Sequence, residues 1–238
     1  MRSLSIPCFA AVGAVAALAT LGGCGLIDSD ITQFDLSLPE KEFTVDSNQW
    51  EIQGEGQSVP EFTCTPSPDP CPALATQLCT GTDCFAQCGD NGACEVFVVV
   101  NLFDTVDLAA EAPELSSIDG QPLLEVTLQR VFFDVLENTL TIDTPEMGVY
   151  VAPESVTRTQ LPQALLIGTI PPVPAGMTIS NQEMTLAPDG NENLQMFMSD
   201  FQEPFNIIVG TTIEVEGGEE VPAGRLRASV GADASAGL

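Results

Sequence analysis

The sequence has no histidine, and only 6 Lys and Arg stand against 34 Asp and Glu. Without imidazole, a Ser-His-Asp or Cys-His nucleophilic centre cannot be built, nor can a His-ligated zinc or iron site. A Ser–Lys dyad would have to use Lys41, the one lysine, which follows Pro39 in what reads as an exposed turn. Large aromatics with a polar tip are nearly missing: Trp50 and Tyr150 are the single examples, few for the platforms that often line sugar sites. No glycine-rich loop precedes a helical segment, so a nucleotide phosphate has no cradle. The scarcity of cations leaves a formal charge of −28, a field that repels nucleic acid and anionic lipid head groups. The acids are scattered along the chain, as on a solvated surface with capacity for divalent cations or a basic partner.

One long apolar run is present. Ile6 to Leu21 is preceded by Arg2 and followed by small residues, the three parts of an export signal. It falls short of the ~20 apolar residues a spanning helix needs. The run closes in Leu21-Gly22-Gly23-Cys24. That stretch resembles the lipobox of bacterial lipoproteins. The resemblance implies that residues 1–23 are a cleaved signal peptide, that Cys24 carries the lipid, and that residues 24–30 form a short tether. The chain would then be exported and held to a membrane by acyl chains on Cys24, each buried CH₂ contributing ~0.8 kcal/mol. Residue 25 is Gly where many lipoproteins retained at the inner membrane carry Asp, which implies the outer membrane. Losing residues 1–23 removes Arg2 and no acid, so 5 Lys and Arg would face 34 Asp and Glu, a formal −29.

The remainder reads as one all-β domain over residues 31–230. Ile31 to Leu38 alternates apolar and polar residues, Phe43 to Val45 starts a second strand after Pro39, and Trp50 to Ile52 continues it. Cys94 to Phe103 is nearly continuous in apolar, β-branched residues and reads as a central strand buried on both faces. Leu108 to Leu115 is the one stretch with helical character, shortened by Pro113. Further strands are expected at 124–135, 138–151, 164–170, 177–186, 194–201 and 205–215, separated by Pro, Gly and Asn breaks. Arg225 to Val230 could add an edge strand, and residues 231–238 read as a flexible tail. Strands at this spacing predict an antiparallel β-sandwich, Ig-like in broad architecture. Val131 to Leu140 resembles a strand-and-turn element in Ig-like sandwiches of the late-embryogenesis type, over about ten residues.

Residues 55–94 differ from the rest, being rich in proline and cysteine, and read as an insertion outside the sheets. Of 8 cysteines, Cys8 would leave with the signal and Cys24 would take lipid. Cys64, Cys71, Cys79, Cys84, Cys88 and Cys94 remain. An even number in an exported segment predicts three disulfides, with 15 connectivities open. A metal site is the competing reading, but no Cys-x-x-Cys is present. Cys94 opens the best strand, so the insertion should be pinned to the sandwich.

Two weaker patterns involve the acids. Asp189, Asn191 and Asn193 place oxygen ligands at alternate positions, and Asp200 falls at the twelfth residue of an EF-hand-like loop. Leu194 stands where such a loop needs Gly, and a hairpin turn fits these residues as well. A carboxylate pair for hydrolysis would be compatible with so many acids. The expected role is a lipid-anchored, non-catalytic module of the cell envelope, for binding or assembly with an envelope protein partner. A calcium- or glycan-binding adhesive module is the alternative, and a carboxylate-based hydrolase comes third.

Overall fold

Apolar residues recur at every second position in several stretches of the chain. In the computed structural model, which describes residues 33–65, 69–111, 125–200 and 202–237, most of those runs are strands. The elements in order are β1 (Gln33–Asp46), α1 (Cys71–Leu78), β2 (Cys84–Cys88), β3 (Cys94–Val106), α2 (Leu108–Glu111), β4 (Glu125–Asn138), β5 (Met147–Pro153) and β6 (Leu165–Ile170). After them come β7 (Ile179–Glu183), β8 (Thr185–Leu186), α3 (Gly190–Ser199), β9 (Phe205–Glu216) and β10 (Arg225–Gly237). A four-stranded sheet has the order β1-β10-β4-β7 and a six-stranded sheet the order β2-β3-β9-β5-β6-β8, with antiparallel pairing throughout. The expected antiparallel sandwich is present.

The core lies between the sheets. From the six-stranded side come Val96, Val98, Val149, Val151, Ile213 and Val215; Phe43, Val131, Phe133, Val135, Leu226 and Val230 face them. Each set sits at alternate positions of its strand, so one face of every strand loses water while the ladder satisfies its backbone. Full burial of such side chains is worth ~1.5–3 kcal/mol each relative to exposure.

Several boundaries differ from the sequence reading. Pro39 does not separate two strands: β1 runs through it, with the register shifting between Leu38 and Lys41. A proline fits there because β1 is an edge strand and the bulge needs no ladder donor. Only one face of β3 is fully buried; Glu95, Phe97 and Val99 on the other are half-exposed. The cysteine-rich stretch is not wholly outside the sheets, since β2 forms the edge of the six-stranded one. The described part of 194–201 is not a strand. Leu194 and Met198 are buried one turn apart on α3, with Phe197 packed beside them, which is helical spacing. Gly190 lets that helix begin against β6, where a Cβ would lie 1.9 Å from the Ile167 carbonyl oxygen.

The flexible tail expected at 231–238 is overturned. β10 continues to Gly237 as a central strand, paired with β1 on one side and β4 on the other. Ala232 and Ala234 are buried in the core. The expected signal peptide at 1–23, lipidated Cys24 and tether at 24–30 lie outside the described residues.

Candidate functional site

Two features set the six-stranded sheet apart: a lobe stapled by disulfides at one edge, and an outer face covered over only part of its area. The lobe begins where β1 ends. The Asp46 side chain accepts from Asn48 N (3.1 Å), turning the chain into a short 3₁₀ turn, and Ile52 bridges to Cys79. The Glu51 carboxylate accepts from Asp83 N at 2.6 Å and its carbonyl from Thr80 N at 2.8 Å, tying the 79–84 loop to this segment. Pro72 stands in the first turn of α1, where a missing N–H costs nothing, and the Asp69 side chain accepts from Cys71 N at 2.9 Å.

The six cysteines form three disulfides, as their number and setting predicted. The pairs are Cys64–Cys88, Cys71–Cys94 and Cys79–Cys84. Cys71 and Cys94 are fully buried, so the lobe is sewn to the first residue of β3. Among the described residues, Cys64, Cys71 and Cys94 are also the one group of potential metal ligands with atoms close enough to share an ion, within 4.8 Å of one another. Their sulfurs are committed to disulfides.

The outer face of the sheet is covered on one half by the loop 154–164. Asn206, fully buried, donates from Nδ2 to the Glu154 (2.8 Å) and Val156 (2.9 Å) carbonyls, and its Oδ1 accepts from Thr105 Oγ1 at 2.8 Å. Asn101 Oδ1 accepts from Thr159 N and Oγ1, both at 3.0 Å. Arg158 reaches from the loop to Asp83 with two bonds of 2.6 and 2.9 Å. Ala152, Val156 and Ile208 form a small buried cluster beneath.

The other half, over β2, β3 and β9, carries a different set. The register places Gln87, Glu95 and Glu216 in one row and Phe85, Phe97 and Glu214 in the next, followed by Val99 beside Thr212. The Phe85 and Phe97 rings stack at 5.3 Å with 16° between planes, and Phe85 is 40% exposed. The Glu95 carboxyl is held above the usual glutamate range, first by desolvation, then by the charge of Glu214 and a hydrogen bond with it, then by Asp90. At Asp46 the shift is downward, through hydrogen bonds from Asn48 and Arg225.

These opposite shifts set the pH dependence. The folded state holds the Glu95 proton more tightly than the unfolded chain, so stability falls as pH rises from the unfolded value of ~4.3 through the raised native one. Asp46 contributes stability above its unfolded value of ~3.9, and that contribution is lost as pH falls through the depressed native one. Urea unfolding followed from pH 3 to 8 should therefore show stability rising on mild acidification from neutrality and falling again in stronger acid. The substitution Glu95→Gln should raise stability at pH 7 and flatten the first limb; an unchanged profile would count against the shared proton.

Every basic residue after Arg2 is ion-paired: Lys41 with Glu111 (2.7 Å), Arg130 with Asp233 (2.7 Å), Arg158 with Asp83 (2.6 Å), Arg225 with Asp46 (2.9 Å) and Arg227 with Glu42 (3.4 Å). Lys41 is not in an exposed turn. It lies in β1 with its side chain 12% exposed and two bonds to the Glu111 carboxylate.

The residues considered for calcium are not brought together. Asp189 stands at the N-cap position of α3 without a side-chain capping bond, Asn191 and Asn193 lie in its first turn, and Asp200 follows its last residue. The ten-residue helix between the two aspartates spans ~15 Å at 1.5 Å per residue, too far to share one ion. Asn193 spends its Nδ2 on the Leu166 carbonyl at 2.9 Å. The apolar spacing of Leu194 and Met198 makes this segment a helix rather than a hairpin turn or a ligand loop.

The bare aromatic and acidic half of the sheet was not visible in the sequence as a site. The one available signal was parity: Glu95, Phe97 and Val99 share a face of β3. The chain matches no protein-family model, no curated protein and no solved structure.

Proposed function

We propose that this protein is a lipid-anchored, non-catalytic module of the cell envelope, acting as an accessory subunit in binding or assembly. The lipobox-like Leu21-Gly22-Gly23-Cys24 supports the anchor and the outer-membrane address. The observation that carries the role is the unequal covering of the six-stranded sheet: one half lies under the chain's own loop, while the other exposes Phe85 beside a disulfide-stapled lobe. Rigid scaffolds with a stapled, loop-rich edge are where binding surfaces are commonly placed. Chemistry has little to work with here, because histidine is absent and each described cation is held by a carboxylate.

The test is affinity purification of the full chain from gently solubilised membranes with the anchor intact. A stoichiometric protein partner is the expected result, with cross-links to residues 64–94 or to β2 and β3. The substitution Cys24→Ser should move the protein from the membrane to the soluble fraction. Recovery of the lipoprotein alone, or no change with Cys24→Ser, would overturn the corresponding half of the reading.

A glycan-binding role is the second reading. It is favoured by a trough beside the covering loop, floored by Gly148 and Gly210 and lined by Glu146, Tyr150, Gln160 and Thr212. Screening envelope glycans against the wild type and Tyr150→Ala separates the two, since an assembly subunit should show no Tyr150-dependent glycan binding.

A further inference from the structure

We propose that the bare outer face of β2, β3 and β9 is a docking surface for a cationic protein segment, whose apolar residues cover the stacked Phe85 and Phe97 while its basic residues meet Glu95, Glu214 and Glu216. The proposal deepens the assembly reading above by naming the surface and the chemistry of the partner. Its first support is packing. The same sheet face is closed by the chain's own loop over β9 and β5, where Ile208 and Asn206 are fully buried. On the bare half three of the outward positions are apolar, with Phe85 and Phe97 stacked and Val99 beyond them. An aromatic pair left on an open sheet face is the composition of an interface centre, where aromatic residues are enriched.

Charge selects the occupant. Glu214 shares a row with the aromatic pair, Glu95 and Glu216 occupy the adjacent row, and Asp90 is near enough to raise the Glu95 carboxyl further. The chain has no cation to spare for them, because each described Lys and Arg is paired with another acid. A second copy of the chain would bring its own large negative charge to the contact, and an anionic membrane would be repelled in the same way. A basic partner instead relieves the repulsion between Glu95 and Glu214. At the border of this face the molecule already shows such pairing, where Arg158 meets Asp83 with two hydrogen bonds. Arginine suits the role further because its guanidinium stacks on aromatic rings as well as binding carboxylates.

The test uses the full chain and a fluorescein-labelled decapeptide of alternating Arg and Val as the probe, read by anisotropy in physiological salt. A peptide with Glu in place of Arg is the matched control and should not bind. The double variant Phe85→Ala/Glu214→Gln should weaken the Arg-Val peptide at least tenfold. The charge-matched substitution Glu183→Gln, on β7 of the other sheet, should change it less than twofold. Equal losses in the two variants would reduce the effect to bulk charge and overturn the proposal, as would undiminished binding by the double variant. Phe85→Ser, at a half-exposed edge position, provides a second variant if the first does not fold. Failure here is distinguishable from failure of the assembly reading: a co-purified partner cross-linked only to the four-stranded sheet would preserve that reading and overturn this surface.

Discussion

Deleting residues 231–238 is expected to abolish cooperative folding. The deleted stretch supplies the partners of Gln33 to Leu38 on β1, through Ala232 to Gly237, and of Glu125 to Phe132 on β4, through Gly231 to Gly237. β1 is an edge strand, so its first half would have no other strand to pair with, and a gap would open in the middle of the four-stranded sheet. Ala232 and Ala234 would also leave the core. Each ladder bond contributes only ~0.5–1.5 kcal/mol net, but about a dozen would go together, against a total stability of ~5–15 kcal/mol for a typical domain. Thermal and urea unfolding followed by circular dichroism should show no sharp transition. A melting curve like that of the full chain would restore the flexible-tail reading. Ala234→Glu tests the same placement without shortening the chain: a carboxylate forced between the sheets must be desolvated or neutralised, so stability should drop by several kcal/mol, ~3 or more.

That strand was illegible for a physical reason. Gly231-Ala-Asp-Ala-Ser-Ala-Gly237 has no large apolar or β-branched residue, and hydrophobic alternation is the main sign by which strands are read. Its small residues suit a central position. The Phe132 ring lies over Gly231, where a Cβ would approach its Cζ to 2.6 Å, and Arg130 stands 4.7 Å above the same ring. The information therefore resides in β4, and appears only when the strands are side by side. α3 was missed differently. Leu194, Phe197 and Met198 do have helical spacing, but the strands on either side favoured reading another strand. In β1, β3, β4 and β9 one face packs on the opposing sheet with large side chains, and those strands were legible from their apolar residues, β3 as a nearly continuous run.

The candidate face was only half legible. Parity puts Glu95, Phe97 and Val99 together, but the opposite face of β3 is Val96, Val98 and Val100, so composition alone does not tell which side is covered. Pairing with β9 resolves it. Glu214 and Glu216 arrive from a strand more than a hundred residues later and make the outer face acidic. The cysteines show the same division. Their number predicted three bonds, but their pairing depends on how α1 docks against β2 and β3, which spacing does not encode.

Removing the Cys71–Cys94 bond should be the most damaging disulfide loss, and the result should depend on whether one sulfur or both are removed. The bond closes a separation of 23 residues, worth ~3 kcal/mol in the chain-entropy model, and joins two fully buried ends. Cys79–Cys84 closes a separation of only 5 and should contribute less. The double variant Cys71→Ala/Cys94→Ala should lower the melting temperature by roughly 6–12 °C, at ~2–4 °C per kcal/mol for a domain of this size. Cys79→Ala/Cys84→Ala should lower it by a smaller amount. The single variant Cys71→Ala leaves the Cys94 thiol beside a second disulfide, because the sulfurs of Cys64, Cys71 and Cys94 lie within 4.8 Å of one another. Its thiolate can attack Cys64 Sγ, forming Cys64–Cys94 and releasing Cys88 as a thiolate that takes up a proton; no external oxidant is required. Peptide mapping after alkylation should then find Cys88 modified and a Cys64–Cys94 cross-link. If Cys94 alone is modified and Cys64–Cys88 persists, the sulfurs do not exchange, and the lobe is held by its backbone bonds from Cys64 N to Gly92 O and Cys94 N to Phe62 O once the buried link is gone.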